Sequence, residues 1–242
     1  MKSLHVIKHI DREGPGIFED LAEFYGYELI TTNLHRGEEL PLLKSTDCIL
    51  LLGGPMGLND VKDQRYNWMT DEILFIKKAI NKGYPIIGIC LGAQLMAYSL
   101  GGSIQKLISK DKKQTAEIGW SKIYKYLNAD KEDKDLVKHL PLDVLHWHSD
   151  RILLPKAASL LAVSNICSEQ FFKLAPNAYG LQFHAEIIES DYHYWIVEDK
   201  KYILSNLGIE GESQLFNDIN KLKSSYAYRY NFLRDLFKEV YL

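Results

Sequence analysis

Cysteine is scarce in this chain. There are three in 242 residues, Cys48, Cys90 and Cys167. None forms a C-x-x-C pair and one is left over from any pairing, so a disulfide framework or a zinc ribbon is excluded and a reducing, cytoplasmic setting is expected. An excess of charge of one sign is also missing. Lys+Arg 29 against Asp+Glu 32 gives a net charge of -3, with no long block of either sign. That excludes the dense basic patch on which nucleic-acid wrapping or membrane-surface binding depends, so neither nucleic acid nor membrane is an expected partner. The opening MKSLHVIKHIDREG interrupts its apolar residues with Lys and His and lacks a cleavage pattern, so no signal peptide is expected. One stretch, 83–105, has no charged residue, but it holds Pro85, Gly88, Gly92, Gly101, Gly102 and Gln94. It divides better into a buried strand, a sharp turn and a short helix than into a membrane span. Internal repeats, low-complexity segments and linkers are absent too.

What is present is a 46% hydrophobic content, enough to fill a sizeable core. In the first half, strand patterns at 4–8, 27–32, 47–52 and 84–89 alternate with helix patterns at about 16–25 and 67–81. In the run at 47–52 every residue after Asp47 is apolar, as in a parallel strand buried on both faces. This alternation predicts an α/β fold with an open, mostly parallel sheet and helices on both faces. Six further strands are expected in an antiparallel region, at 103–107, 117–124, 144–148, 160–164, 170–174 and 178–184, with a charged helix near 129–138. The tail, 190–242, is helical in pattern, and the whole of 1–242 is expected to be one domain.

Gly88-Ile89-Cys90-Leu91-Gly92 sits between a strand and a helix, the form of a nucleophile elbow with Cys in place of Ser. A strained turn presenting a thiol needs neighbours without a Cβ, for dihedral freedom and for close strand–helix approach. Cys90 would then stand at a helix N-terminus, which favours the thiolate. A cysteine nucleophile needs a base and an orienting group. Gly180-Leu181-Gln182-Phe183-His184-Ala185-Glu186 offers both, because residues two apart on a strand project together. His184 is the candidate base and Glu186 its partner, with Leu181 and Phe183 turned to the core. Gly53-Gly54-Pro55-Met56-Gly57 follows an apolar strand, and the N–H groups of Gly54 and Leu91 are the candidate oxyanion hole. The glycines of that segment would also permit a peptide flip that turns the Gly54 N–H into or out of the hole.

These three segments in order resemble the signatures of class I glutamine amidotransferases, in particular the stand-alone branch similar to the glutaminase domain of GMP synthase. The resemblance runs from Leu4 to about Glu189. It implies a flavodoxin-like sheet and a Cys90–His184–Glu186 triad that hydrolyses the glutamine side-chain amide through a γ-glutamyl thioester, with no cofactor. It further implies that Gln94 contacts the bound glutamine and that His148-Ser149-Asp150 holds its amino-acid end, with Ser149 and Asp150 as substrate contacts. Ala185 departs from the proline usual in the family. The tail lies beyond the resemblance. No glycine-rich ATP-pyrophosphatase loop is present in this chain, so an ammonia-consuming synthetase or acceptor protein would stand on a separate chain.

Two alternatives remain open at this point. One is a free-standing hydrolase of γ-glutamyl peptides or amines using the same triad. The other is a non-catalytic regulatory protein, against which the intact Cys, His and Glu argue. His146 and His148 with Asp150 suggest a metal, but no third ligand stands at motif spacing and no metal is expected. Cys48 and Cys167 are expected to be inert packing residues. Tyr192, Tyr194 and Trp195 are expected to pack helices or to form a homo-oligomer contact.

Overall fold

The computed structural model describes residues 2–129 and 133–242. Four strands, β1 (Lys2–Lys8), β2 (Tyr27–Asn33), β3 (Cys48–Leu51) and β4 (Ile86–Ile89), alternate with helices α1 (Ile17–Phe24) and α2 (Trp68–Asn81). Then come α3 (Leu91–Ser99), β5 (Ser103–Lys106), β6 (Glu117–Lys125), α4 (Lys134–Val137), β7 (Leu142–His148), β8 (Asp150–Leu153), β9 (Ser159–Val163), β10 (Phe171–Ala175) and β11 (Ala178–Leu181). Four helices close the chain: α5 (Glu189–Glu198), α6 (Lys200–Leu207), α7 (Gly211–Asn217) and α8 (Ile219–Tyr241). The main sheet runs β2-β1-β3-β4-β11-β10-β9-β6-β7. Its first five strands are parallel, and the remaining pairings are antiparallel.

Alternation along the parallel strands divides the core. Leu50, Leu52, Ile87, Ile89 and Leu181 pack with α1 and α8 on one face, while Ile49, Leu51 and Ile86 pack with α2 and α3 on the other. Both faces are covered, which is why the 47–52 run carries no polar alternation. A third cluster joins Trp120, Leu145 and Trp147 to Tyr192, Trp195 and Ile203 of the tail. No helix among the described residues is long and apolar enough to cross a membrane.

The expected α/β architecture is present, with four local differences. The strand expected at 178–184 ends at Leu181, opposite the end of its neighbour β4 at Ile89, and beyond it pairing continues only as an isolated bridge from His184 to Leu145. Helical spacing puts Trp68, Ile73, Ile76 and Ile80 on one side of α2, but its buried face is formed by Met69, Glu72, Ile76, Ala79 and Ile80, which brings a carboxylate inside. Of the helix expected at 129–138 one turn is seen, α4, with 130–132 outside the described residues. Finally, β8 pairs with β5 in a separate two-stranded ribbon that the patterning does not announce.

Candidate active site

In a parallel sheet the strand ends converge on one edge, and the loops leaving that edge carry the chemistry. Here β1 leads into His9–Glu13, β3 into Gly53 and Gly54, β4 into Cys90, and β11 into His184 and Glu186. The register that pairs Ile89 with Leu181 fixes how Cys90 and His184 face one another.

Cys90 has φ 49 and ψ -105, in the region L side chains rarely adopt, and caps the N-terminus of α3. Its N–H donates to the Leu181 carbonyl at 2.7 Å. Such a conformation costs about 1–3 kcal/mol and persists only where packing imposes it. The expected dihedral freedom of the flanking glycines is not what is used: the strain falls on Cys90 itself. The glycines serve close approach instead. A Cβ on Gly92 would lie 2.6 Å from the Leu51 carbonyl oxygen, and one on Gly88 would lie 2.7 Å from the backbone of Gly92.

His184 stands beyond the end of β11, where its backbone bridges Leu145 of β7, its N–H donating at 2.8 Å. Its Nδ1 donates to Glu186 Oε1 at 2.7 Å, and it lines the same cavity as Cys90. Burial alone would push the imidazole toward neutrality, but Glu186 and Cys90 outweigh it and hold the pKa well above the ordinary value. The ring packs edge-on against Trp195, centroids 4.7 Å apart.

The remaining expected residues gather around one cavity of about 300 Å³, lined by Gly54, Leu91, Gln94, Ser149, Asp150 and the Cys90–His184 pair. Leu91 is the first residue of α3, so helix geometry leaves its N–H without an intrahelical acceptor. The side-chain amide of Gln94 donates to Gln182 Oε1 at 3.2 Å, and the second amide nitrogen, on Gln182, lies 3.6 Å from Cys90 Sγ. Asp150 is ion-paired with Lys106 at 2.8 Å. Cys48 and Cys167 are buried away from the cavity, their thiols pushed up by burial to about 11 and about 12.

Several site residues are not signalled by local spacing. His9, fully buried, donates from Nδ1 to the Gly53 carbonyl (3.0 Å) and from Nε2 to Glu72 (2.8 Å). Burial opposes its proton, but Glu72 and the carbonyl retain it and raise its pKa. Because the Gly53 carbonyl and the Gly54 N–H share one peptide plane, His9 anchors the peptide of the candidate oxyanion hole. Glu13 lines the cavity beside His184, its carboxyl raised mainly by burial. Arg12 reaches Asp199 of the tail at 2.5 Å, and Asp199 also accepts from the Trp147 indole at 2.8 Å. Asp199 and Tyr202 therefore make the tail a wall of the cavity. Deeper in the tail, the buried guanidinium of Arg229 donates to the carbonyls of Ala185 (2.6 Å) and Ile187 (2.8 Å), bracketing Glu186.

A family model for class I glutamine amidotransferase matches residues 22–202. The chain belongs to the class I glutamine amidotransferases. Among relatives of this amidotransferase, the glutamine amidotransferase-like protein YfeJ of Salmonella typhimurium is 30% identical over 187 residues, 76% of this chain and 75% of that protein. One of the subunits of the glutamine-hydrolysing GMP synthase of Methanocaldococcus jannaschii is 32% identical over 159 residues, 64% of this chain and 72% of that one. A crystal structure of a Thermotoga maritima glutamine amidotransferase superposes with a TM-score of 0.82 at 27% identity, covering 99% of this chain and 98% of the other. That likeness extends through the helical tail, where the family model has already ended.

Proposed function

We propose that this amidotransferase hydrolyses the side-chain amide of glutamine to glutamate and ammonia, with Cys90 as nucleophile, His184 as acid and base, and Glu186 as the group that orients and charges the imidazole. The observation that carries the reading is the His184–Glu186 hydrogen bond on the wall of a cavity of amino-acid size that Cys90 also lines, with the nucleophile held in a strained elbow. Cys90 sulfur forms a bond to the amide carbon, and the oxyanion is met by the N–H groups of Gly54 and Leu91. The C–N bond then breaks as His184 gives its proton to the departing ammonia, leaving a γ-glutamyl thioester. Water, losing a proton to His184, opens the thioester and releases glutamate. Gln94, Ser149 and Asp150 hold the amino-acid end of the substrate. The ammonia is passed to a synthetase or acceptor on another chain, as the similarity to the GMP synthase relative suggests.

Glu13 favours a second substrate class. Its carboxyl group lines the cavity along with His184, with Arg12 Nε 4.0 Å away as an ion-pair partner. An amine-bearing leaving group would find a counter-charge there, which makes γ-glutamyl amines the competing substrates. The two are separated by measuring product formation with glutamine and with γ-glutamyl amines, together with labelling by a glutamine-like diazo-ketone. Labelling confined to Cys90 and faster turnover of glutamine support the first reading. Faster turnover of a γ-glutamyl amine replaces it by the second, and adducts on Cys48 or Cys167 overturn the site.

A further inference from the structure

Side chains two apart on a strand lie on the same face, so His146 and His148 of β7 point together. The antiparallel register with β6 sets Glu117 directly opposite His148. All three are buried, at 1%, 4% and 4% exposure in the order His146, His148, Glu117. One ligand atom from each lies within 4.8 Å of the others. Glu117 Oε2 is 3.2 Å from His148 Nε2 and 3.8 Å from His146 Nδ1.

The proton arrangement makes this convergence unusual. His148 Nδ1 is 2.9 Å from the Asp150 backbone carbonyl, an oxygen that can only accept, so Nδ1 donates. In the neutral imidazole the lone pair of Nε2 is then aimed at Glu117 Oε2, a second acceptor. Neither ring nitrogen of His146 has a hydrogen bond of ordinary geometry. Glu117, the third group, is reached from the loop between β9 and β10. It accepts from the Ser164 hydroxyl at 2.5 Å and the Gln170 amide at 2.7 Å. A proton on His148 would bridge its own contact with Glu117 and still leave the 3.8 Å approach of His146 Nδ1 to Glu117 unbridged.

We propose that Glu117, His146 and His148 form a site for a divalent transition-metal ion of the zinc type, structural rather than catalytic. A cation satisfies all three electron pairs at once. Ligands about 2.0–2.1 Å from a tetrahedral ion stand about 3.3 Å from one another, close to the separations of Oε2 from the two ring nitrogens. A histidine whose second nitrogen donates to a carbonyl is the usual form of a metal-bound imidazole, which is the state of His148. Two histidines and one carboxylate suit zinc in preference to calcium or magnesium, which take oxygen ligands. The expectation of no metal rests on the lack of a third ligand along the sequence. Glu117 comes from the neighbouring strand, while Asp150 is taken by Lys106. The ion would fasten β6 to β7 immediately before Ser149 and Asp150, steadying the cavity lip from below without touching Cys90.

The test is metal binding by the full chain, stripped with chelator and titrated with zinc, then with cobalt(II) as a spectroscopic probe. About one equivalent per chain is expected, with cobalt d–d bands of tetrahedral intensity. His146→Gln and Glu117→Gln should each weaken binding by about 100-fold or more, a ligand loss being at least as severe as loss of an outer partner. A cooperative thermal unfolding transition in each variant shows that it is folded. Wild-type protein that is folded yet takes up no zinc or cobalt overturns the site, as does a folded His146→Gln chain that binds either metal as tightly as wild type.

Discussion

Glu186 tests the proton chemistry apart from the shape of the site. Its carboxylate at 2.7 Å is the main group holding the His184 pKa up against burial. Glu186→Gln keeps the shape and removes the charge, so the proton on His184 should be lost at lower pH. The sign is fixed: a raised imidazole pKa places the high-pH limit of the active form above 6.5, and removing its cause moves that limit down. A fall of about one unit or more in the upper limb of the kcat/KM–pH profile is expected, with a rate loss on the order of 100- to 10,000-fold. An unmoved upper limb would take Glu186 out of this role. At this scale the sequence is informative where chemistry and spacing coincide. Cys90 is legible because glycines flank it between a strand and a helix, and His184 and Glu186 because they are two apart after another strand. Glu13, His9 and Glu72 are not, since a lone charged residue looks alike whether it faces solvent or a buried partner.

Two elements set the geometry of the site. Arg229, on α8, donates to the carbonyls on both sides of Glu186 and to Leu222 and Ser225. Burial draws its pKa down to about 10, against the pull of Glu186, so it remains charged at neutral pH. Arg229→Met should destabilise the chain by about 3 kcal/mol or more, since buried carbonyls lose their donors. It should also slow Cys90 labelling, because the Glu186 loop loses its brace; urea unfolding and labelling kinetics read the two effects. Stability within about 0.5 kcal/mol of wild type would refute the brace. The second element is the Gly53–Gly54 turn. The sequence suggests a peptide free to flip, but His9 anchors its carbonyl and is itself held by Glu72. His9→Gln should therefore lower kcat by about 100-fold with little change in KM, the loss expected when one oxyanion donor drifts. A change confined to KM would assign His9 to substrate binding instead. The turn is legible but neither brace is, because Arg229 and His9 are far in sequence from the carbonyls they hold and meet them only through the fold.

Across the whole molecule, four parallel strand ends and the helical tail enclose one cavity. The first half of the chain reads well because burial on both faces leaves apolar runs bounded by glycine. The tail reads as helix but not as part of the site, because Asp199, Tyr202 and Trp195 acquire their role only when α5 and α6 fold back onto β7 and the β1 loop. The same folding leaves Cys48 and Cys167 buried with raised pKa values, so Cys90 is the one thiol at the cavity. The central claim is covalent catalysis by that thiol. The most direct test is acid-quenched mass spectrometry of the chain during turnover of glutamine, followed by peptide mapping. The account predicts a γ-glutamyl thioester on the Cys90 peptide, formed and lost at rates that match turnover and absent from Cys90→Ala. Glutamate production by Cys90→Ala at the wild-type rate would contradict it.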